Sequence, residues 1–236
     1  MMSFGNKIIA ENIFSVISPI YFGDTYSVTQ DDLPETSVVY AVGADLSGKN
    51  FDNLNLQNAV FDKADLSNTS FKNANIDGAR FVFANLDNSN LLDRTNLSNI
   101  NLAGVDLSNT SLKGKDLSGA NLSYVDLSEH DLSGTNLSDT FLVGTNLEGI
   151  DLRSITLTNA DLRYAHLSES KLSDSLLINN KFDYAELKDI DFSGKDLSGS
   201  SFIQSNLEGS YMQNTNLSNA EFIQVDFTKI KNKSLA

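Results

Sequence analysis

The chain has 236 residues, 40% of them apolar and 20% charged, which is enough for one sizeable core or two small ones. Lys and Arg number 17 against 31 Asp and Glu, and the resulting charge of -14 argues against a general nucleic-acid binder that works by neutralising phosphates. There is no Cys, so disulfides, thiolate zinc sites and cysteine nucleophiles are excluded.

The first 40 residues read as an N-terminal cap. They hold both prolines, Pro19 and Pro34. Ile8, Ile9 and Ala10, followed by Ile13, Phe14, Val16 and Ile17, space apolar side chains as a short amphipathic helix that Pro19 stops. Thr36 to Tyr40 reads as a strand leading into the next region. A cleavable signal peptide is the rival reading. Its basic start is Lys7 alone, Glu11 interrupts the apolar run, and no small-residue cleavage site follows. Capping is preferred, with a cytoplasmic location expected. No apolar run approaches the length of a membrane-spanning helix.

From Leu46 onward every fifth residue is large and apolar: Leu46, Phe51, Leu56, Phe61, Leu66, Phe71, Ile76, Phe81, Leu86 and Leu91. After a one-residue slip within Leu91-Leu92-Asp93-Arg94, read as a β-bulge, the series resumes at Leu97 and runs unbroken to Phe227. All 37 central slots hold Leu, Phe, Ile or Met. Five residues advance an α-helix by about 500°, which scatters the apolar residues around every face, so a long helix is rejected. In an extended chain the slot two before each centre points the same way as the centre. That slot is small or apolar at Ala44, Ala59, Ala64, Ala120, Val125, Ala160 and many others. The slot two after the centre is Gly or Asn in 22 of the 37 repeats, the residues that best tolerate positive φ. The chain is therefore a succession of very short extended pieces joined by tight bends.

Units such as Ala120-Asn121-Leu122-Ser123 and Ala160-Asp161-Leu162-Arg163 resemble those of the pentapeptide-repeat family, over about four-fifths of the chain. The resemblance implies an all-β fold, a right-handed quadrilateral β-helix with four pentapeptides per coil and about nine coils in all at the ordinary strand spacing. The expected organisation is a cap over 1–40, the β-helix over 41–229 and a C-terminal tail over 230–236. The tail is too short for an amphipathic capping helix, which leaves the last coil open to self-association, so a homodimer through that coil is an expectation.

With residues 20 apart stacked, the four outward faces differ. The face centred on Leu46, Leu66, Leu86 and Leu107 through Phe227 carries twelve acids, among them Asp65, Asp106, Asp126, Glu148 and Glu186, opposed only by Lys188 and Lys229. Such a wall keeps a stack of strands soluble, and it is also a second candidate contact surface. Some members of the family that the repeat resembles are DNA mimics that bind gyrase, so a topoisomerase-directed mimic is the alternative function. This chain lacks the long loops and the apolar C-terminal helix of those relatives. The adjacent face, centred on Phe61, Phe81, Leu102 and onward to Phe222, carries Phe83, Tyr124, Phe141, Tyr164, Tyr184, Ile203 and Ile223, flanked by Arg80, Arg163 and Lys181. Bulky side chains here replace the Gly or Asn that the bend prefers. An exposed aromatic stripe with scattered Arg has the composition of a partner-binding surface. Aromatic pairing that merely stabilises the sheet is the competing reading.

Lys49, Lys115, His130, Asn180 and Lys195 are polar residues in inward slots, expected to be accommodated structurally, with each Lys head escaping at a corner or meeting an Asp. Catalysis finds little support. His130 and His166 fall on different faces, one inward and one outward, which prevents a Ser-His-Asp arrangement. The Asn-Leu-Ser sequons at Asn96, Asn121, Asn136 and Asn216 are by-products of the repeat. The expected function is a non-enzymatic scaffold for a protein partner, with no cofactor, no metal, no direct nucleic-acid contact and no membrane contact.

Overall fold

The computed structural model of the protein describes residues 39–153, 155–172 and 177–231. The helix expected at 8–17, nearly all of the 1–40 cap and the last five residues of the tail lie outside the described residues. The repeat forms a β-helix. Residues pair in parallel with residues 20 further along: Tyr40 with Val60, Asp45 with Asp65, Asp126 with Asn146, Glu186 with Asn206. Among the described residues pairing is confined to such single bridges, because a bend follows each extended piece before a longer strand can form.

Each five-residue unit has one local cause. The carbonyl of the central residue accepts the N–H three residues on, as Leu46 does from Lys49 at 3.1 Å and Phe61 from Ala64 at 3.0 Å, and this closes a β-turn. The third residue of the turn has positive φ, 67° at Gly48 and 61° at Asn53, which is why Gly and Asn recur there. The same piece is also bonded to its neighbour one turn on. Leu46 N donates to Asp65 O at 2.8 Å, and Asp65 N donates back to Ala44 O at 2.9 Å. Asp or Asn before the centre supports the bend from outside. The Oδ1 atoms of Asp65 and Asp116 accept the Ser67 and Ser118 N–H groups, and Asn85 and Asn136 on the next turn donate to the same two oxygens.

The chain divides into two compact units, Met1–Arg94 with Ile100–Val105, and Thr95–Asn99 with Asp106–Ala236. In the first, four phenylalanines fill the interior. Phe51 stacks on Phe71 at 5.0 Å and Phe61 on Phe81 at 5.4 Å, and the two pairs meet edge to face. In the second unit, leucines from Leu107 to Leu177 line the interior, and Phe182, Phe192 and Phe202 continue it.

The expected bulge is corrected. Asn90–Asp93 is a 3-10 turn whose cap, Ser89 Oγ, accepts from Leu91 N at 3.3 Å. Leu91 and Leu92 are both buried. Consecutive side chains of an extended chain point to opposite sides, so two adjacent leucines reach one interior only if the backbone coils. Side chains then replace the displaced backbone bonds. Asn90 Oδ1 accepts the Phe71 N–H at 2.6 Å, and Arg94 Nη2 donates to the carbonyls of Phe71 at 2.6 Å and Ala74 at 2.9 Å. Partial burial pulls the Arg94 guanidinium below its ordinary range. A second 3-10 turn, Phe227–Lys229, is capped by Asp226, whose Oδ1 accepts from Thr228 N at 3.0 Å.

Candidate functional site

The aromatic face occurs in both units. In the first unit Phe83 is 54% exposed, and its ring covers Gly104 so closely that a Cβ there would collide with it. Tyr40, assigned from the sequence to a lead-in strand, is exposed as well and bridges to Val60. In the second unit Tyr124, Gly144, Tyr164, Tyr184, Gln204 and Gln224 follow one another at 20-residue intervals. Tyr164 and Tyr184 stack with ring centroids 4.8 Å apart and planes 5° apart. Tyr124 lies over Gly144, where a Cβ would stand 2.9 Å from its ring. Gln204 Nε2 donates to Gln224 Oε1. Phe141 is exposed in the neighbouring column, between Asn121 and Asp161. Ile223 is exposed, whereas Ile203 is half-buried and offers less surface than expected.

These rings are held at a conformational cost. Phe83, Tyr124, Tyr164 and Tyr184 have φ of 55°, 63°, 60° and 60°, in the left-handed region. A residue with a Cβ is destabilised there by about 1–2 kcal/mol. Stacking of one aromatic pair returns about 0.5–1.5 kcal/mol, which offsets the cost at Tyr164 and Tyr184 but leaves Tyr124 uncompensated by a ring partner. Four glycines of this slot share a setting that the repeat pattern does not announce. Where the side chain one turn earlier leans over the slot, Gly104, Gly119, Gly144 and Gly199 lie beneath Phe83, Asn99, Tyr124 and Asn179.

The acidic candidates are spread over neighbouring columns and do not form a single row. In the second unit the column before the centre reads Asp126, Asn146, His166, Glu186 and Asn206, each bridged to the next. Asp106, Asp126 and Glu148 are exposed, and Glu186 is half-buried, as is Asp65 in the first unit. The backbone N–H of Ser108 holds the Asp106 carboxyl below its ordinary range, and the Ser128 hydroxyl does the same for Asp126. Glu186 accepts from Asn206 Nδ2 at 2.9 Å.

Inward polar residues share a local solution. Thr135 Oγ1, Thr145 Oγ1 and Asn180 Nδ2 each donate to the central carbonyl 23 residues earlier, those of Leu112, Leu122 and Leu157. His130 Nε2 meets the Leu107 carbonyl in the same way at 2.9 Å, and the exposed His166 stands on another face. Asn180 Oδ1 also accepts the Ala160 N–H at 2.8 Å. Lys49 and Lys115 are buried, and Lys195 is half-buried. Among the described residues no group of His, Asp and Glu converges to hold a metal ion, and no helix is long and apolar enough to cross a membrane.

No curated protein matches the chain. Among solved structures it is similar to QnrB1, a plasmid-mediated fluoroquinolone resistance protein, with 16% identity over 82% of this chain and 77% of that one, at a TM-score of 0.41. It is similar to HetL, a pentapeptide repeat protein involved in heterocyst differentiation regulation from the cyanobacterium Nostoc, with 25% identity over 77% and 87% of the two chains, at a TM-score of 0.31. A further match is Rfr23 from the cyanobacterium Cyanothece, with 32% identity over 43% of this chain and 63% of that one, at a TM-score of 0.17. The profile of the pentapeptide repeats matches successive stretches, from 40–73 and 55–91 through 155–194 and 196–230. The five-residue period, the 20-residue register and this match agree, and the chain belongs to the pentapeptide-repeat family.

Proposed function

We propose that the protein is a non-enzymatic interaction scaffold that takes a protein partner on the aromatic face of its second unit, through Tyr124, Phe141, Tyr164 and Tyr184. The supporting observation is that three tyrosines are kept exposed and in register on left-handed backbone, where Asn or Gly would be less strained. The alternative, an acidic face standing in for the phosphates of DNA before gyrase, meets a column interrupted by Asn146, His166 and Asn206. The test replaces Tyr124, Tyr164 and Tyr184 with Asn, the residue that other repeats place in this slot. Partner capture from the native host should be lost while the circular dichroism spectrum is kept. Gyrase inhibition that disappears on Asp106→Asn, Asp126→Asn and Glu148→Gln would reverse the ranking.

A homodimer through the last turn of the second unit is favoured by a separate observation. Leu197, Gly199, Phe202 and Gln204 donate their N–H groups to Asn216, Ser218, Glu221 and Ile223. The equivalent N–H groups of Leu217, Asn219, Phe222 and Gln224 have no backbone partner among the described residues. Phe227 is 52% exposed, and Met212, Leu217 and Phe222 are half-buried. Apolar side chains beside N–H groups that no described residue pairs offer a template for a second chain. Sedimentation should show a dimer that Phe222→Lys with Phe227→Glu dissociates. A monomer at all concentrations would refute this reading.

A further inference from the structure

We infer that the occupant of the aromatic face is an extended, arginine-bearing segment of a protein partner, its guanidinium groups stacked on Tyr124, Tyr164 and Tyr184 and drawn in by the carboxylates across the adjoining corner. The inference rests on the function proposed for that face and adds the chemistry of what binds there.

Three features of the second unit lead to it. First, the tyrosine column runs beside the acidic wall. Tyr124-Val125-Asp126 and Tyr184-Ala185-Glu186 place a ring and a carboxylate on either side of one buried residue. Bridges carry the column of Asp126 and Glu186 forward turn by turn, and the tyrosine column is carried by the Tyr124, Tyr164 and Tyr184 N–H groups, which donate to Val143, Asp183 and Ile203 on the next turn. Second, the wall holds more carboxylates than its own cations meet. Arg163, beside Tyr164, is paired with Asp161 at 2.7 Å, and Lys188 lies 3.7 Å from Glu186, whereas Asp106, Asp126, Glu129, Glu148 and Glu169 are in no ion pair among the described residues. A second copy of this chain, with its charge of -14, would bring more acid against that wall, while a basic segment is attracted to it. Third, the dimensions suit an extended chain. Tyr124 and Tyr184 are three turns apart, about 14 Å at the usual spacing, and about five extended residues cover that span. Arg suits this pairing better than Lys because its planar group stacks on a ring and meets a carboxylate with two parallel bonds.

The test uses full-length protein with fluorescein-labelled nona-arginine and nona-lysine, which match in charge and differ in stacking. Anisotropy should show the arginine peptide binding about tenfold more tightly, the worth of two or three ring contacts. Tyr124→Asn with Tyr164→Asn and Tyr184→Asn should erase that preference, while Glu148→Gln with Glu169→Gln should weaken both peptides alike. Equal affinity for the two peptides, or binding of neither at low salt, overturns the inference. A change in sedimentation of the tyrosine variant also overturns it, because it makes a second copy the occupant. If the peptides fail but capture of a host partner still needs the tyrosines, the inference falls and the proposed function stands. Capture that is indifferent to the tyrosines removes both.

Discussion

Phe71 and Phe227 occupy the same slot of the repeat, yet one is fully buried in the first unit and the other is 52% exposed at the end of the second. Phe71 stacks on Phe51 and meets Phe61 and Phe81 edge to face. Phe227 meets Phe222 with ring centroids 5.2 Å apart, in the last turn of the described residues. The difference shows that burial in this fold belongs to the neighbouring turns and not to the slot, as expected where each repeat contacts only its neighbours.

The strongest way to break the comparison is to make one substitution in both places. Phe71→Ala should cost about 3–5 kcal/mol, and Phe227→Ala less than about 1 kcal/mol, read from thermal unfolding. Equal losses would mean that the last turn is packed after all. Asn180→Ala probes the polar interior. It strips the Ala160 N–H and the Leu157 carbonyl of their partners and should cost about 3 kcal/mol in urea unfolding. A cost near zero would show that these groups find other partners.

Two glycines sharpen the contrast between a leaning ring and open space. Gly144 and Gly149 both have φ of 65°, but only Gly144 lies beneath a ring, that of Tyr124. Gly144→Ala and Gly149→Ala should each lose about 1–2 kcal/mol to left-handed backbone. Gly144→Ala should lose about 1 kcal/mol more and alter the near-ultraviolet signal of tyrosine. Matching losses would remove the proposed contact.

The smallest expected effect is one of pH. Arg153, chiefly by its side-chain bond, holds the Asp151 carboxyl down to about 2 from the ordinary 3.8. The unfolded chain therefore takes up that proton first. The contribution of the bond is complete above about pH 4 and is lost as pH falls through about 2. Asp151→Asn should flatten the melting temperature over that interval, and an unchanged slope would show that other carboxylates dominate acid unfolding.

Much of the fold was legible because its period is local. Leu46 through Leu207 mark the interior, and Gly48 or Asn53 mark the bends, without reference to any distant residue. The candidate face was legible for a related reason, since Tyr124, Tyr164 and Tyr184 depart from the residue that the bend prefers. Arg94 was not legible, because its role depends on carbonyls 20 and 23 residues earlier that only the 3-10 turn leaves open. The pairing of Phe83, Asn99, Tyr124 and Asn179 with a glycine one turn on was missed as well. It appears only when positions 20 apart are set against each other with their side chains in place.

The order of amino acids was sufficient to establish a five-residue unit with its inward and outward sides, because alternation and positive φ act within a few bonds. The tertiary structure alone decided which turn covers which. It makes Phe71 a core residue and Phe227 a surface one, and turns the expected bulge into a 3-10 turn. Each of these depends on a neighbour 20 residues away, and contacts at that distance exist only once the chain has closed a full turn.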